Sequence, residues 1–177
     1  MSVKKELSGR RSVKAKDEVP DRPQSAVARR SAEAQLRTLI AKFAPAHRRL
    51  IGAMRRWLRK RLPTTHEIIY EYRDNFVISY SPSEHGYEGV LAIHAGADSV
   101  KLYFNGKDLP DQAKLLQGSG KQMRWIHLEG ASTLARPEVA RLINEALARN
   151  RVPFARGGRG SVVVRSTSAQ RRRRRPG

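Results

Sequence analysis

The sequence predicts an α+β domain, with N-terminal helices and a C-terminal helix packed on one face of an antiparallel sheet of about five to six strands. Three observations predict it. Apolar residues recur with a helical period from Leu36 to Leu62. The period shortens to two between His66 and Phe104. It lengthens again after Pro137. Residues 31–165 are enough for one core, which would bury about two-thirds of the unfolded surface.

Residues 1–30 carry few large apolar side chains, and Pro20 and Pro23 break any helix there. They read as a basic, disordered tail, with a helix allowed from about Ala26. The first clear helix begins near Ser31, a good N-cap type. Its stripe is Leu36, Leu39, Ile40 and Phe43, at i, i+3, i+4 and i+7. Pro45 starts a second helix or kinks the first. From Ala46 to Leu62, Leu50, Ile51, Met54, Trp57, Leu58 and Leu62 fall on one arc, and Pro63 ends the helix.

His66–Tyr72 alternates. Ile68, Tyr70 and Tyr72 share one face, and Glu67, Ile69 and Glu71 share the other. Asp74-Asn75 turns the chain into a second strand at Phe76–Tyr80. Tyr87–His94, Ser99–Phe104 and Met123–Leu128 read as the third, fourth and fifth strands. Gln112–Leu116 is a candidate helical turn, and Ala131–Arg136 a loop. Pro137 opens the last helix, striped by Val139, Leu142, Ile143, Ala146 and Leu147. Ser161–Val164 is β-branched and reads as a sixth strand. Residues 166–177 form an Arg-rich disordered tail.

The charge lies in blocks. The chain has 177 residues, a formal net charge of +20 and a pI of about 11.3. Residues 31–64 hold nine Lys or Arg against one acid, whereas residues 65–145 hold eight against eleven. The basic character therefore belongs to one helical segment and the two ends. Such blocks point to a polyanionic partner. Arg48, Arg55 and Arg59 lie beside the apolar arc of the second helix, and Arg49, Arg56 and Lys60 lie further round. With Arg171, Arg172, Arg173, Arg174 and Arg175 they form the candidate polyanion surface. The five tail arginines alone, on about five phosphates, would lose roughly 500-fold in affinity between 50 and 200 mM salt. No recognition-helix signature is present, so contact with nucleic acid or another polyanion would run through phosphates and be sequence-independent. The bland alternative is a solvated amphipathic helix whose Arg stems cover apolar edges. That alternative explains the stripe but not the excess of bases.

Other chemistries are constrained. There is no Cys, which excludes disulfides, Cys-ligated zinc, iron–sulfur clusters and thiol nucleophiles. No apolar run approaches the roughly 18 residues of a membrane span, and the first residues lack a secretory signal's apolar stretch. A cytoplasmic protein is the expectation. The acids Glu67, Glu71 and Asp74 are the nearest thing to a metal cluster. Glu67 and Glu71 are ~13 Å apart along a strand, too far for one ion, and pairing with Arg on the neighbouring helix is the plainer reading. His94 and His127 lie on strands and could meet across the sheet. Gly118-Ser119-Gly120-Lys121 invites a phosphate-loop reading, but Gln122 stands where Ser or Thr would bind magnesium and a strand follows. A tight turn is the simpler account. Arg156-Gly157-Gly158-Arg159-Gly160 has the composition of an RGG element or a hairpin turn. No nucleophile elbow or triad grouping stands out, so the reading leans away from an enzyme.

Several segments taken together resemble the YdhG-like family of bacterial domains of unknown function, whose fold is similar to frataxin. They are Leu62-Pro63 followed by Glu67-Ile68-Ile69-Tyr70, Val100-Lys101-Leu102-Tyr103-Phe104 leading to Gly106-Lys107-Asp108-Leu109-Pro110-Asp111, and Leu115-Leu116-Gln117-Gly118-Ser119-Gly120-Lys121-Gln122-Met123-Arg124. The resemblance spans Leu36–Phe154, about two-thirds of the chain. It implies a frataxin-like fold, and some relatives are described as iron chaperones. Three expectations of function follow. The first is a non-enzymatic binding protein whose basic helix and tails contact nucleic acid or another polyanion. The second is intracellular iron binding and delivery, with Glu67, Glu71 and Asp74 as ligands. The third is a small-molecule binder or enzyme using a sheet pocket around Tyr70, Tyr72, Tyr103 and Trp125.

Overall fold

The computed structural model describes residues 23–106 and 108–166. Its elements run α1 (Ala26–Ala41), α2 (Pro45–Arg61), β1 (His66–Glu71), β2 (Phe76–Ser81), β3 (Leu91–Ala95), β4 (Val100–Asn105), β5 (Met123–His127), α3 (Pro137–Ala148) and β6 (Val162–Ser166). The α+β class holds. The strands form one sheet in the order β5-β4-β3-β2-β1-β6, with the three helices against one face.

The helices form where their stripes and ends direct. Leu36 and Leu39 of α1, Ile51, Met54 and Leu58 of α2, and Leu142 and Ile143 of α3 are all buried. They meet the inward rows of the sheet, among them Ile69, Ile78, Ile93, Leu102 and Phe104. Pro45 occupies the first turn of α2, where no intrahelical partner is needed for its missing N–H. Pro137 does the same for α3. Truncating Ile51, Met54 or Leu58 to Ala would cost about 2–5 kcal/mol each.

The structure corrects five expectations. First, α1 begins at Ala26, where the sequence allowed a helix, and not at the clear start expected near Ser31. The Ser25 hydroxyl accepts the Ala28 N–H at 3.1 Å, so Ser25 is the cap and Ser31 sits inside the helix. Second, β3 is shorter than expected, because Gly86–Glu88 makes a 3-10 turn and Tyr87 stands in it. Third, Gln112–Leu116 is not a helical turn. The Asp111 carboxylate accepts the N–H groups of Leu115 and Leu116, each at 2.8 Å, which satisfies that backbone without a helix. Fourth, Ala131–Ala135, expected as loop, is a 3-10 turn.

The fifth correction concerns the sheet, which is mixed rather than antiparallel. Four pairings are antiparallel, but β6 runs parallel to β1, with Glu67 opposite Val162 and Ile69 opposite Val164. The cause is the route of the chain. β5 and β6 are opposite edges, five strand spacings or about 24 Å apart. The 12 residues of α3 span about 18 Å, and the segment 149–161 completes the crossing. The strand that follows enters beside β1 in the same direction. Gly160 allows this, because a Cβ there would run into the Thr65 carbonyl. The outer edge of β6 is partnered too. The Gln24 amide accepts from the Val162 N–H at 2.9 Å and donates to its carbonyl at 2.7 Å, while Arg29 donates to the Gly160 carbonyl. The tail expectations for residues 1–22 and 167–177, including Arg171–Arg175, lie outside the described residues.

Candidate functional site

The cations of α2 divide into two sets. Arg55 turns inward: its guanidinium makes two 2.8 Å hydrogen bonds to Glu33 of α1 and bonds of 2.8 and 2.7 Å to Glu67 of β1. Arg59 reaches the same pair, at 3.2 Å from Glu33 and 3.8 Å from Glu67. The Glu67 side chain is only 2% exposed and Arg59 30%, so this is a partly buried two-by-two ion cluster with Glu67 at its inner end. Burial alone would lower the pKa of Arg55, but its hydrogen bonds to Glu33 and Glu67 outweigh it and raise it. The hydrogen bond from Arg55 holds the Glu33 carboxyl below its ordinary range, against the opposing effect of burial. Above the cluster the Tyr80 phenol is fully buried, and burial first, then the Glu67 charge, pushes its pKa well up.

Arg48, Arg49, Arg56 and Lys60 remain outward and exposed. Among the described residues they pair with no carboxylate. Arg61 joins their end of the helix, with its guanidinium 5.8 Å from the Trp57 ring centroid. The candidate polyanion surface of α2 is therefore narrower than the sequence suggests. Arg55 and Arg59 are tied to the fold.

The candidate metal residues are dispersed. Glu67 is held by Arg55 and Arg59, Glu71 pairs with Lys42 at 3.5 Å, and Asp74 lies in the exposed turn after β1. Among the described residues no group of three His, Asp or Glu could hold a metal ion. His94 and His127 do not meet, because β4 lies between their strands and Lys101 stands opposite both. Gly118–Lys121 is a turn: Gln117 and Trp125 exchange backbone hydrogen bonds at 2.7 and 3.1 Å across it. Gly118 has φ +93°, and a Cβ there would strike the Trp125 ring.

A second feature lies on the sheet face away from the helices. One row across it reads Trp125, Tyr103, Ala92, Ser79, Ile68 and Val163. The adjacent row reads His127, Lys101, His94, Val77, Tyr70 and Arg165. Ala92, Ser79 and Val77 are small residues on the two central strands, and rings flank them. The result is a trough of about 550 Å³ between Tyr103 and His94 on one side and Tyr70 on the other. Tyr72, just past β1, and Tyr87 add two more rings to its lining. Gly86 and Gly89 let the preceding loop lie on the sheet, since a Cβ on either would strike the Tyr70 or Ser79 hydroxyl.

The trough itself is uncharged, and its cations stand at the flanks. Lys101 Nζ lies 5.2 Å from the Trp125 ring centroid, and the Arg165 guanidinium 5.9 Å from that of Tyr70. Burial, and then the charge of Lys101, lowers the His94 pKa, so at neutral pH it presents a neutral ring. Of the four aromatics expected to form a pocket, Tyr70, Tyr72 and Tyr103 line the trough. Trp125 lies against Tyr103 with its ring tilted 33° and 5.4 Å between centroids. Sequence reasoning missed Tyr87, placed in a strand, and the small floor residues. The available signal was the run of small residues in alternate positions of two neighbouring strands, Val77 and Ser79 with Ala92.

No family model, no curated protein and no solved structure matches this chain. No described helix is long and apolar enough to cross a membrane.

Proposed function

We propose that this protein is a non-enzymatic, cytoplasmic nucleic-acid-binding protein that grips phosphates through the outward face of α2, without regard to sequence. One observation carries the reading. Arg48, Arg49, Arg56 and Lys60 are exposed together with no carboxylate partner among the described residues, while the carboxylates near α2 are consumed by Arg55 and Arg59. Unneutralised guanidinium and ammonium groups on one helix face attract a polyanion and release its counterions. The same charge also suits an anionic membrane surface. Insertion is disfavoured, because Ile51, Met54 and Leu58 are already buried in the core. The iron-delivery expectation has no ligand cluster among the described residues to support it.

The test is fluorescence anisotropy with a labelled duplex from 50 to 200 mM salt, comparing the full chain with R48Q/R49Q/R56Q/K60Q. If all four cations hold phosphates, their loss makes the slope of log K against log salt shallower by about 3.6. Four contacts alone account for about 150-fold in affinity across that range. A variant with unchanged affinity and slope would remove α2 from the interface.

A further inference from the structure

We infer that the open sheet face is a second surface, which takes single-stranded nucleic acid by stacking bases on its rings. The inference rests on the nucleic-acid reading above but uses a different face and different residues. It begins from charge segregation. The carboxylates of the six strands, Glu67 and Glu71, stand on the rows turned toward the helices. The open rows carry Lys101 and Arg165 and no acid. Strand rows with cations, rings and no carboxylate complement a ligand that joins flat aromatic groups to phosphates, and the Glu88 carboxylate of the loop on that face accepts a hydrogen bond from Ser83.

Geometry selects the length of that ligand. Lys101 and Arg165 stand in one register row on β4 and β6, four strand spacings or roughly 19 Å apart. A mononucleotide cannot place its phosphate near both. A single strand can, and sheet-based single-strand sites take about 4–16 nucleotides. Between the two cations lies the trough, whose lining includes the rings of Tyr70, Tyr72, Tyr87 and Tyr103. Tyr87 and Tyr72 are 78% and 44% exposed, an expense of apolar surface that core packing does not explain. A duplex keeps its bases stacked on one another and cannot use these rings, so the two faces divide the substrate forms.

The experiment uses the full chain, fluorescein-labelled dT12 and a 12-base-pair duplex. Tyr72 and Tyr87 are exposed enough that Y72A/Y87A leaves the core intact; K101Q is the second variant. For Y72A/Y87A the expected result is a loss of dT12 affinity of about 5- to 150-fold, the effect of one or more lost base stacks, with duplex affinity within about two-fold of the parent. For K101Q a shallower salt slope on dT12 alone is expected. In a Trp57→Phe background Trp125 is the remaining tryptophan, and dT12 should quench its emission. Unchanged dT12 binding in both sheet variants would overturn the inference, as would an equal loss on dT12 and duplex. If AMP raises the melting temperature as much as dT12 does, the occupant is mononucleotide-sized and the inference also falls. The α2 quadruple variant fails or succeeds on the duplex independently, so the two faces are judged separately.

Discussion

Adjacent arginines on α2 illustrate how burial decides what a charge does. Arg55 and Arg56 differ by one position, about 100° around the helix. That rotation puts Arg55 between Glu33 and Glu67 and leaves Arg56 in solvent. Arg55→Ala should therefore cost about 3–5 kcal/mol in urea unfolding, because Glu67 would be left buried without its two hydrogen bonds and with only the longer Arg59 contact. Arg56→Ala should change stability by less than about 0.5 kcal/mol while weakening duplex binding. Equal costs would mean that the cluster contributes nothing specific. Glu33 adds a pH dependence. Its folded-state pKa lies below its ordinary value of 4.5, so its stabilisation is complete above that value and is lost as pH falls through the lower one. Urea midpoints of the parent should fall on that acid limb, and Glu33→Gln should show a flatter fall. Parallel profiles would separate Glu33 from the acid response.

At the scale of the element, β6 depends on contacts far away in sequence. It is an edge strand, and its unpaired backbone groups would be an open template without the Gln24 amide. Its entry is set by Gly160 against Thr65. Gly160→Ala should loosen the β1–β6 pairing, with faster hydrogen exchange at Val163 and Val164 than at the amides of β2 and β3. Uniform exchange across the sheet would mean that the close approach is dispensable. α2 shows the complementary case. Its apolar stripe is consumed by the core, so only its outward cations remain for a partner.

The whole molecule is a one-sided sheet in a strongly cationic chain. Helices cover one face, and no described helix covers the other, which carries the trough's rings and two cations. A net charge of +20 repels itself. Raising NaCl from 10 to 500 mM should therefore raise the melting temperature, since screening relieves repulsion more than it weakens the partly buried ion cluster. A fall in melting temperature with salt would mean that the ion pairs outweigh the repulsion. The two candidate surfaces lie on separate layers, one on the helices and one on the sheet, so contact with one leaves the other free.

Periodicity made the helices and most strands legible, because a stripe at 3.6 or an alternation at two is written in neighbouring residues. Pro45 and Pro137 marked helix starts for an equally local reason. The block of bases on α2 and the three trough tyrosines were legible too, as residue types. Their use was not. Arg55 and Arg59 look as free as Arg56 until β1 delivers Glu67 beneath them. His94 and His127 look like neighbours until β4 is found between their strands. The parallel course of β6, the Ser25 cap and the place of Tyr87 also depend on long-range packing. Local pattern is enough to place most of the helices and strands and to show where the charge accumulates, because both are carried by neighbouring residues. Which cations are held by carboxylates and which rings share the open face emerges only once the strands are assembled. Those outcomes depend on the order of strands, and strand order is set by contacts between residues distant in the chain.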